Sequence, residues 1–535
     1  MATIVYQTDK RTGITYAYHS ISHWDKEKKQ SRAKRTLIGR VDPESGEICP
    51  TRKKKAQLSE ETPRSGPVPV THVSRCFYGA TYLFDAIGNK LGITIDLRKC
   101  FPHTYKQILS IAYYLILENK SPLSRFTKWS GLHKHPHGKD IPSQRSSELF
   151  SSITEEERYS FFRLQGKRRA EKEYWAYDTT SISSYSQCLK QVRYGVNKEH
   201  DHLPQINLAL LFGEQSNLPF YYRKLPGNIT DVKTIKNFLS DIDFLKLTKV
   251  KLVMDRGFYS EDNVNALYKN HLKFLIASKL SLKFVKTELN NVRDSIRSWT
   301  NYSQKYELYA FTKKTDWTYS QYRPYKSDII TDRRRLYLHF YFSIERAMED
   351  EKELNARLGI LQTEIESDRR NPENEKLYNK YFTVKSTPKR GIKATARQKA
   401  MDEAKLNYGY FVLISNEIKD HIEALEIYRN KDLVEKAFGN LKERLSLRRL
   451  SVSSDASLNG KLFVEFIALI FLSYLKKKMQ DNDLFKKYTM QSLLDELDII
   501  ECFEYPGTKI RTGEITKRQI KLYEKIGVPP PPSLQ

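Results

Sequence analysis

The sequence predicts an α/β protein. From residue 174 onward, short apolar runs alternate with amphipathic helical stretches, the pattern of a sheet layered with helices. The rhythm stops near 281 and resumes at "YGYFVLISN" (408–416), so the stretch between reads as an insertion. A strand-rich start and a helical region precede it. A chain of 535 residues is too long for one core, and two to four domains are expected.

Taken in order, residues 1–67 read as strands ("ATIVYQT", "ITYAYHSISHW") followed by a polar, basic linker with the run Arg52 to Lys55. Residues 68–172 turn helical ("GATYLFDAIGNKLGI", "TYKQILSIAYYLILEN"), with Ser121 and Pro122 as helix-start residues. Short helices in a basic context suit either DNA reading or a purely structural helical cluster. "LHKHPHGKD" (132–140) spaces three histidines around Pro136, which reads as a solvated loop. The first part of the core, 173–280, supplies a short aromatic strand running into Asp178 and a hydroxyl-rich stretch ("EYWAYDTTSIS"), then the strands "QINLALLFG", "LPFYYRKL", "KVKLVMD" and "LKFLIAS". It also supplies the helices "TDVKTIKNFLSDI" and "SEDNVNALYKN". The insertion, 281–407, mixes strand-like pieces with a charged helix. The second core part, 408–480, ends on "LFVEFIALIFLSYL". The segment 481–535 is a candidate for dimerisation.

Charge is the informative bulk property. Ninety-one Lys and Arg against 64 Asp and Glu leave +27, an excess that favours a polyanionic partner. The run at 462–475 is short for a bilayer and contains Glu465, so a core helix is expected, with no membrane partner. The N-terminus has no apolar signal core, and the expected location is cytoplasmic. Five scattered cysteines without a CxxC pair exclude a disulfide framework or zinc ribbon as the organising feature.

Three acids stand at expected element ends: Asp178 and Asp255 after strands, Glu435 on a late helix. Strand-end acids face the crevice of an open α/β sheet. Carboxylate oxygens suit hard divalent cations, and a pair of such ions drives phosphodiester chemistry. Singly, each acid has a plainer role: Asp178 as a turn cap, Asp255 as a turn residue, Glu435 as half of a surface charge pair. In "YRNKDLVEKAFGNLKER" (428–444), Tyr428, Lys431, Glu435 and Lys442 fall on one helical stripe about 60° wide. Leu433, Val434, Ala437, Leu441 and Leu445 form the neighbouring apolar arc.

"YWAYDTTSIS", "LPGNITDVKTI", "VMDRGFYS" and Y-x2-K-x3-E-x6-K, in that order, resemble the DDE transposases of bacterial insertion sequences, in particular the family-four-like group. The group's pattern on the last helix is Y-x2-R-x3-E-x6-K, and this chain has Lys431 at the Arg position. The resemblance implies a ribonuclease-H-like core, with Asp178, Asp255 and Glu435 holding two Mg²⁺ ions (Mn²⁺ substituting). Tyr428, Lys431 and Lys442 would grip phosphates of the element's end. Lys is a point charge without the guanidinium fork, so a bidentate phosphate grip at 431 is not expected. It further implies cut-and-paste transposition, by a hairpin route in which a flipped base stacks on an aromatic such as Trp299 or Trp317. The partners would be double-stranded DNA (terminal inverted repeats and target) and a second protomer in a homodimer, nucleoid-associated in a bacterium when bound. The basic parts of the insertion and the C-terminal segment would share in end recognition. The alternatives are a ribonuclease-H-like nuclease without strand transfer and a repurposed, non-catalytic DNA-binding protein.

Overall fold

The computed structural model describes all residues except 1, 26–28, 52–72, 170–172, 187, 199–200, 246–249, 324, 388–390, 446–448, 451, 453, 506–509 and 533–535. The basic run Arg52 to Lys55 and nearly all of its linker lie outside the described residues, as do positions 388–390 of the basic stretch in the insertion. The chain forms two compact units, Met1–His72 and Val73–Gln535. The sequence puts this first boundary at 67.

The first unit is an antiparallel sheet of β1 (Ala2–Thr8), β2 (Thr15–Asp25), β3 (Gln30–Val41) and β4 (Ile48–Cys49), paired in chain order. Asp9 and Gly13 close the first turn, with Gly13 at φ +70° where a side chain would be strained.

The second unit starts with β5 (Ser74–Phe77) and a helical region: α1 (Gly79–Lys90), α2 (Ile93–Cys100), α3 (Tyr105–Leu117), α4 (Phe126–Ser130), α5 (Ser143–Ser152) and α6 (Glu155–Arg169). The core follows with β6 (Tyr174–Ser184), β7 (Gln205–Gly213), β8 (Pro219–Pro226), α7 (Asp231–Leu245), β9 (Lys251–Met254), α8 (Glu261–Lys269) and β10 (Lys273–Ser278). Next come α9 (Lys283–Ile296), β11 (Tyr302–Ser303), β12 (Leu308–Arg323), β13 (Asp328–Phe342), α10 (Ile344–Glu366), α11 (Glu375–Tyr381), β14 (Phe382–Thr387), β15 (Gly391–Ala396) and α12 (Gln398–Lys405). The chain closes with β16 (Tyr410–Ser415), α13 (His421–Asn430), α14 (Asp432–Gly439), a π turn (Asn440–Arg444), β17 (Arg449–Leu450), α15 (Asp455–Asp481), α16 (Met490–Asp498), β18 (Glu501–Glu504), β19 (Arg511–Thr512) and α17 (Lys517–Ile526).

One large mixed sheet organises this unit, in the order β11-β12-β13-β16-β10-β9-β6-β7-β8, with β17 alongside β6. β6, β9 and β10 run parallel at its centre, and β7 and β8 continue antiparallel. Side-chain alternation buries both faces. Leu252, Met254, Phe274, Ile276, Val412 and Ile414 join the main core, whereas Val253, Leu275 and Leu413 join a second cluster closed by Ala424, Leu425 and Ile427 of α13.

The stretch 281–407 divides in two. β12 and β13 extend the core sheet through β16, whereas 344–405 builds a satellite around Leu361, Ile365 and Tyr378. The C-terminal segment packs back on the helical region. There β18 pairs with β5, and the Tyr523 hydroxyl donates to Gly79 O at 2.8 Å. α15 is long and apolar enough to cross a membrane by length and composition, and 89% of its most apolar window is buried inside the protein.

The histidine loop is not solvated as the sequence suggested. His133 and His135 are buried beside Trp129, because each ring finds a polar partner that offsets its desolvation. His133 meets Trp129 O and Asp498, and His135 meets Ser110 Oγ.

Candidate active site

Strand register brings the two aspartates together. β6 and β9 pair in parallel from Tyr174↔Lys251 to Tyr177↔Met254. One step beyond that last rung stand Asp178 and Asp255. Neighbouring strands lie about 4.8 Å apart, so this continuation sets the acids side by side. β9 stops there because Asp255 caps the following turn, its Oδ1 accepting from Arg256 N at 2.7 Å. β6 does not stop. The sequence places Asp178 at a strand's end, but it is the fifth of eleven residues, since 178–183 go on pairing with β7. The hydroxyl-rich continuation stays in the sheet because its side chains are satisfied while buried: Ser183 Oγ donates to Asp201 at 2.9 Å.

The third acid comes from above the sheet. The continuous helix expected over 428–444 is interrupted: α13 ends at Asn430, α14 begins at Asp432, and residues 440–444 form the π turn, with Leu445 N donating to Asn440 O. A single regular stripe therefore does not run from Tyr428 to Lys442. The apolar arc does face inward: Val434, Ala437, Leu441 and Leu445 are buried, with α14 packed on β6 and β7. The side chain of Leu433 lies outside the described residues. Packed this way, α14 turns Glu435 outward into a cleft of ≈ 520 Å³ whose walls also hold Asp178, Asp255, Lys442, Lys198 and Asp231.

Tyr428 and Lys431 turn toward the acids. The Tyr428 hydroxyl donates to Asp255 Oδ1 at 2.8 Å. Lys431, 4% exposed, places Nζ 3.7 Å from Asp255 Oδ2 and 3.8 Å from Glu435 Oε1. Burial alone would raise the Asp255 carboxyl, but Lys431, the Tyr428 hydroxyl and the Arg256 amide outweigh it and hold it below the usual range. Asp178 behaves oppositely. Its burial dominates and raises it, despite Lys198 and the Thr179 amide. Two neighbouring carboxyls are thus driven apart in acidity by unequal burial and unequal cation contact.

Lys198 and Asp231 are the residues the sequence did not single out. Lys198 Nζ donates to Thr179 O at 2.7 Å and to Thr179 Oγ1 at 2.9 Å, and lies 3.3 Å from Asp231 and 3.9 Å from Asp178. Thr179 Oγ1 donates to Asp231. Asp231 had a legible signal, an acid opening a helix directly after "LPGNIT". Lys198, in the loop between β6 and β7, had none. Among the described residues no three His, Cys, Asp or Glu side chains are gathered closely enough to enclose one ion.

A cleft with two aspartates on adjacent parallel strands and a glutamate from a covering helix defines an acid-triad site on a mixed α/β sheet. A family model, the transposase DDE domain, matches residues 169–471, more than half of the chain, and the chain belongs to that family of DDE transposases. Among solved structures it is similar to the cryo-EM structure of the piggyBac transposase synaptic complex with hairpin DNA, at 9% identity and a TM-score of 0.33, over 74% of this chain and 70% of that one. No curated protein matches the chain.

Proposed function

We propose that this cleft carries out metal-dependent DNA strand cleavage and strand transfer at the ends of an insertion sequence of the family-four-like group, on a ribonuclease-H-like core. The observation that carries the reading is the register that sets Asp178 beside Asp255, with Glu435 on the wall of the same cleft. The three acids offer only carboxylate oxygens, the donor chemistry that Mg²⁺ or Mn²⁺ takes, and they are the residues that would hold two such ions. When bound, these ions supply Lewis-acid polarisation of the phosphate and a more acidic attacking water.

The chain's own groups do the positioning. Tyr428 orients Asp255 through its hydroxyl, and Lys431 keeps Asp255 ionised and offsets its charge against Glu435. Lys442, on the cleft wall, meets a phosphate of the DNA end and sets its place without reading sequence. Hydrolysis of one strand frees a 3′-hydroxyl, which then attacks the opposite strand to make a hairpin or attacks target DNA. Of the two candidate stacking aromatics, Trp317 is buried with its indole N–H on Asn265, whereas Trp299 is 79% exposed over Tyr302. Trp299 is therefore the better platform for a flipped base. The working form is a DNA-bound homodimer in the bacterial cytoplasm, since joining two ends takes two such clefts.

The test uses a duplex carrying the inverted repeats that flank the gene. Asp178→Asn, Asp255→Asn and Glu435→Gln each abolish Mg²⁺-dependent cleavage and strand transfer of a pre-cut end while DNA binding persists. Full cleavage by any of the three would sink the assignment. Cleavage without strand transfer by the native protein would leave a nuclease.

A further inference from the structure

The segment 476–526 carries acids that tie it inward and a set of exposed lysines. Three of its carboxylates serve inward contacts: Glu501 binds Arg75, Asp498 binds His133 and Glu504 binds Lys134, tying β18 and α16 to the N-terminal helical region. The lysines of α17 face solvent, with the exposed Glu524 on the same side. In α17, Lys517, Lys521 and Lys525 recur at four-residue steps on the side opposite buried Leu522, Tyr523 and Ile526. Like charges at that spacing repel and weaken a helix. They line a groove of ≈ 520 Å³ with Lys487 and Tyr488.

That groove continues toward the acid cleft. Lys487 and Tyr488 also wall a second groove of ≈ 540 Å³, whose far side is Asn440, Arg444 and Lys476. Asn440 and Lys476 in turn border a small hollow with Lys436. Among the described residues, Lys436, Lys476, Lys487 and Lys521 have no carboxylate within ion-pair distance; nearby Lys477, Lys486 and Arg518 do. Burial chiefly, and after it the charges of Lys436 and Arg444, lower the pKa of Lys476, so these cations lie within reach of one another. One helical segment separates the two environments, with Glu435, Phe438 and Lys442 on the acid cleft and Lys436, Ala437 and Asn440 on the basic side. A helix with its side chains is about 10–12 Å across, close to the ~12 Å width of a DNA major groove.

We infer that this C-terminal face, from Lys436 through Lys476 and Lys487 to the lysine stripe of α17, is a track for the phosphate backbone of duplex DNA whose end lies in the acid cleft. The inference rests on the reading that the cleft takes a DNA strand. It gives the C-terminal segment a defined backbone-holding face, where the sequence suggested a general share in end recognition beside dimerisation. The partner is a duplex, because the track is a run of solvated point charges, which position backbones and select no base.

The experiment uses the full chain and a labelled 30-base-pair duplex of mixed sequence, with binding measured across a salt series. Each lost phosphate contact removes about 0.9 from the slope of log K against log salt. The triple variant Lys517→Glu, Lys521→Glu, Lys525→Glu therefore flattens the slope by about two to three and weakens binding at low salt. Lys487→Glu alone flattens it by about one. Lys352→Glu, on the acidic helix α10, leaves it unchanged. All substituted positions are solvent-facing, and an unchanged melting temperature confirms folding. An unchanged slope in both C-terminal variants overturns the inference, as does loss of binding to phosphatidylserine vesicles with DNA binding intact. Native protein that cleaves while these variants keep their slope sinks the track and leaves the transposase reading. A flattened slope in a protein that never cleaves does the reverse.

Discussion

Two lysine–glutamate pairs in this chain share one spacing and one distance, yet bury opposite partners. Lys431 Nζ lies 3.8 Å from Glu435 Oε1, and Lys461 Nζ lies 3.8 Å from Glu465 Oε1, each pair four residues apart. At the cleft the lysine side chain is 5% exposed and the glutamate 63%; in α15 the lysine is 15% exposed and the glutamate 1%. Lysine preceding glutamate is the weaker order for helix support, so neither pair is explained by helix stability. Glu435 shares its cation with Asp255 and opens onto Asp178. Glu465 sits in apolar packing, and neither of its oxygens has a hydrogen-bond partner in the protein. Burial pushes its carboxyl up to about 8, with Lys461 only partly offsetting. An acid becomes reactive through what else reaches its space, and spacing does not encode that.

Exchanging each glutamate for glutamine sharpens the contrast most. Glu435→Gln lowers cleavage by at least about a thousandfold, roughly 4 kcal/mol of barrier, and leaves the melting temperature near that of the native chain. Glu465→Gln does the reverse. Unfolded, that carboxyl titrates near 4.5; folded, it stays protonated to about 8. As pH rises from 4.5 the unfolded chain ionises first, so folding is penalised progressively until the folded carboxyl ionises as well. At pH 7 the penalty is about 3 kcal/mol, and the glutamine variant is free of it. Calorimetric melting should show Glu465→Gln gaining at pH 8 and converging on the native chain toward pH 4.5. An equal gain at both pH values would mean that packing, and not ionisation, separates the two sites.

The difference between these pairs also marks what the sequence could reveal. β7, β8, β10 and β16 were legible because near-continuous apolar runs bounded by turns dictate buried strands, as at Gln205–Gly213. The three acids were legible through the residues around them. The length of β6 was not, because serines and threonines past Asp178 read as a turn until β7 supplies their ladder partners. Nor was the change of phase beyond Lys431. Its backbone stays helical at φ −56° and ψ −29°, and only the following π turn shows that the stripe loses its phase. Lys198 joins the cleft across the sheet, with no periodicity to announce it. The joining of β12 and β13 to the core likewise depends on pairing with β16, which no local pattern specifies.

Lys431→Met keeps the aliphatic stem and removes the charge that holds Asp255 down. Cleavage should fall about thirtyfold, near 2 kcal/mol, within the range of a broken partly buried charge pair. The acid limb of the rate profile should move to higher pH, because the Asp255 carboxyl rises once Lys431 no longer opposes its burial. Lys431→Arg retains the charge and should hold the limb in place. If Met and Arg shift it equally, the ammonium is not what tunes Asp255.

Tyr428→Phe is the smallest change and separates the two roles open to this side chain. It keeps the ring, over which Lys431 Nζ lies 5.6 Å from the centroid, and removes only the hydroxyl on Asp255. A hydrogen bond of this kind is worth about 1 kcal/mol net, so cleavage should fall about fivefold. If the hydroxyl orients Asp255, the loss appears in kcat and the acid limb moves in the same direction as for Lys431→Met, by less. If the hydroxyl instead grips a phosphate, as the sequence resemblance implies, the loss appears in KM for DNA and the salt slope of binding drops. The 2.8 Å contact favours the first outcome, since a hydroxyl already donating to Asp255 has no second proton for a phosphate oxygen.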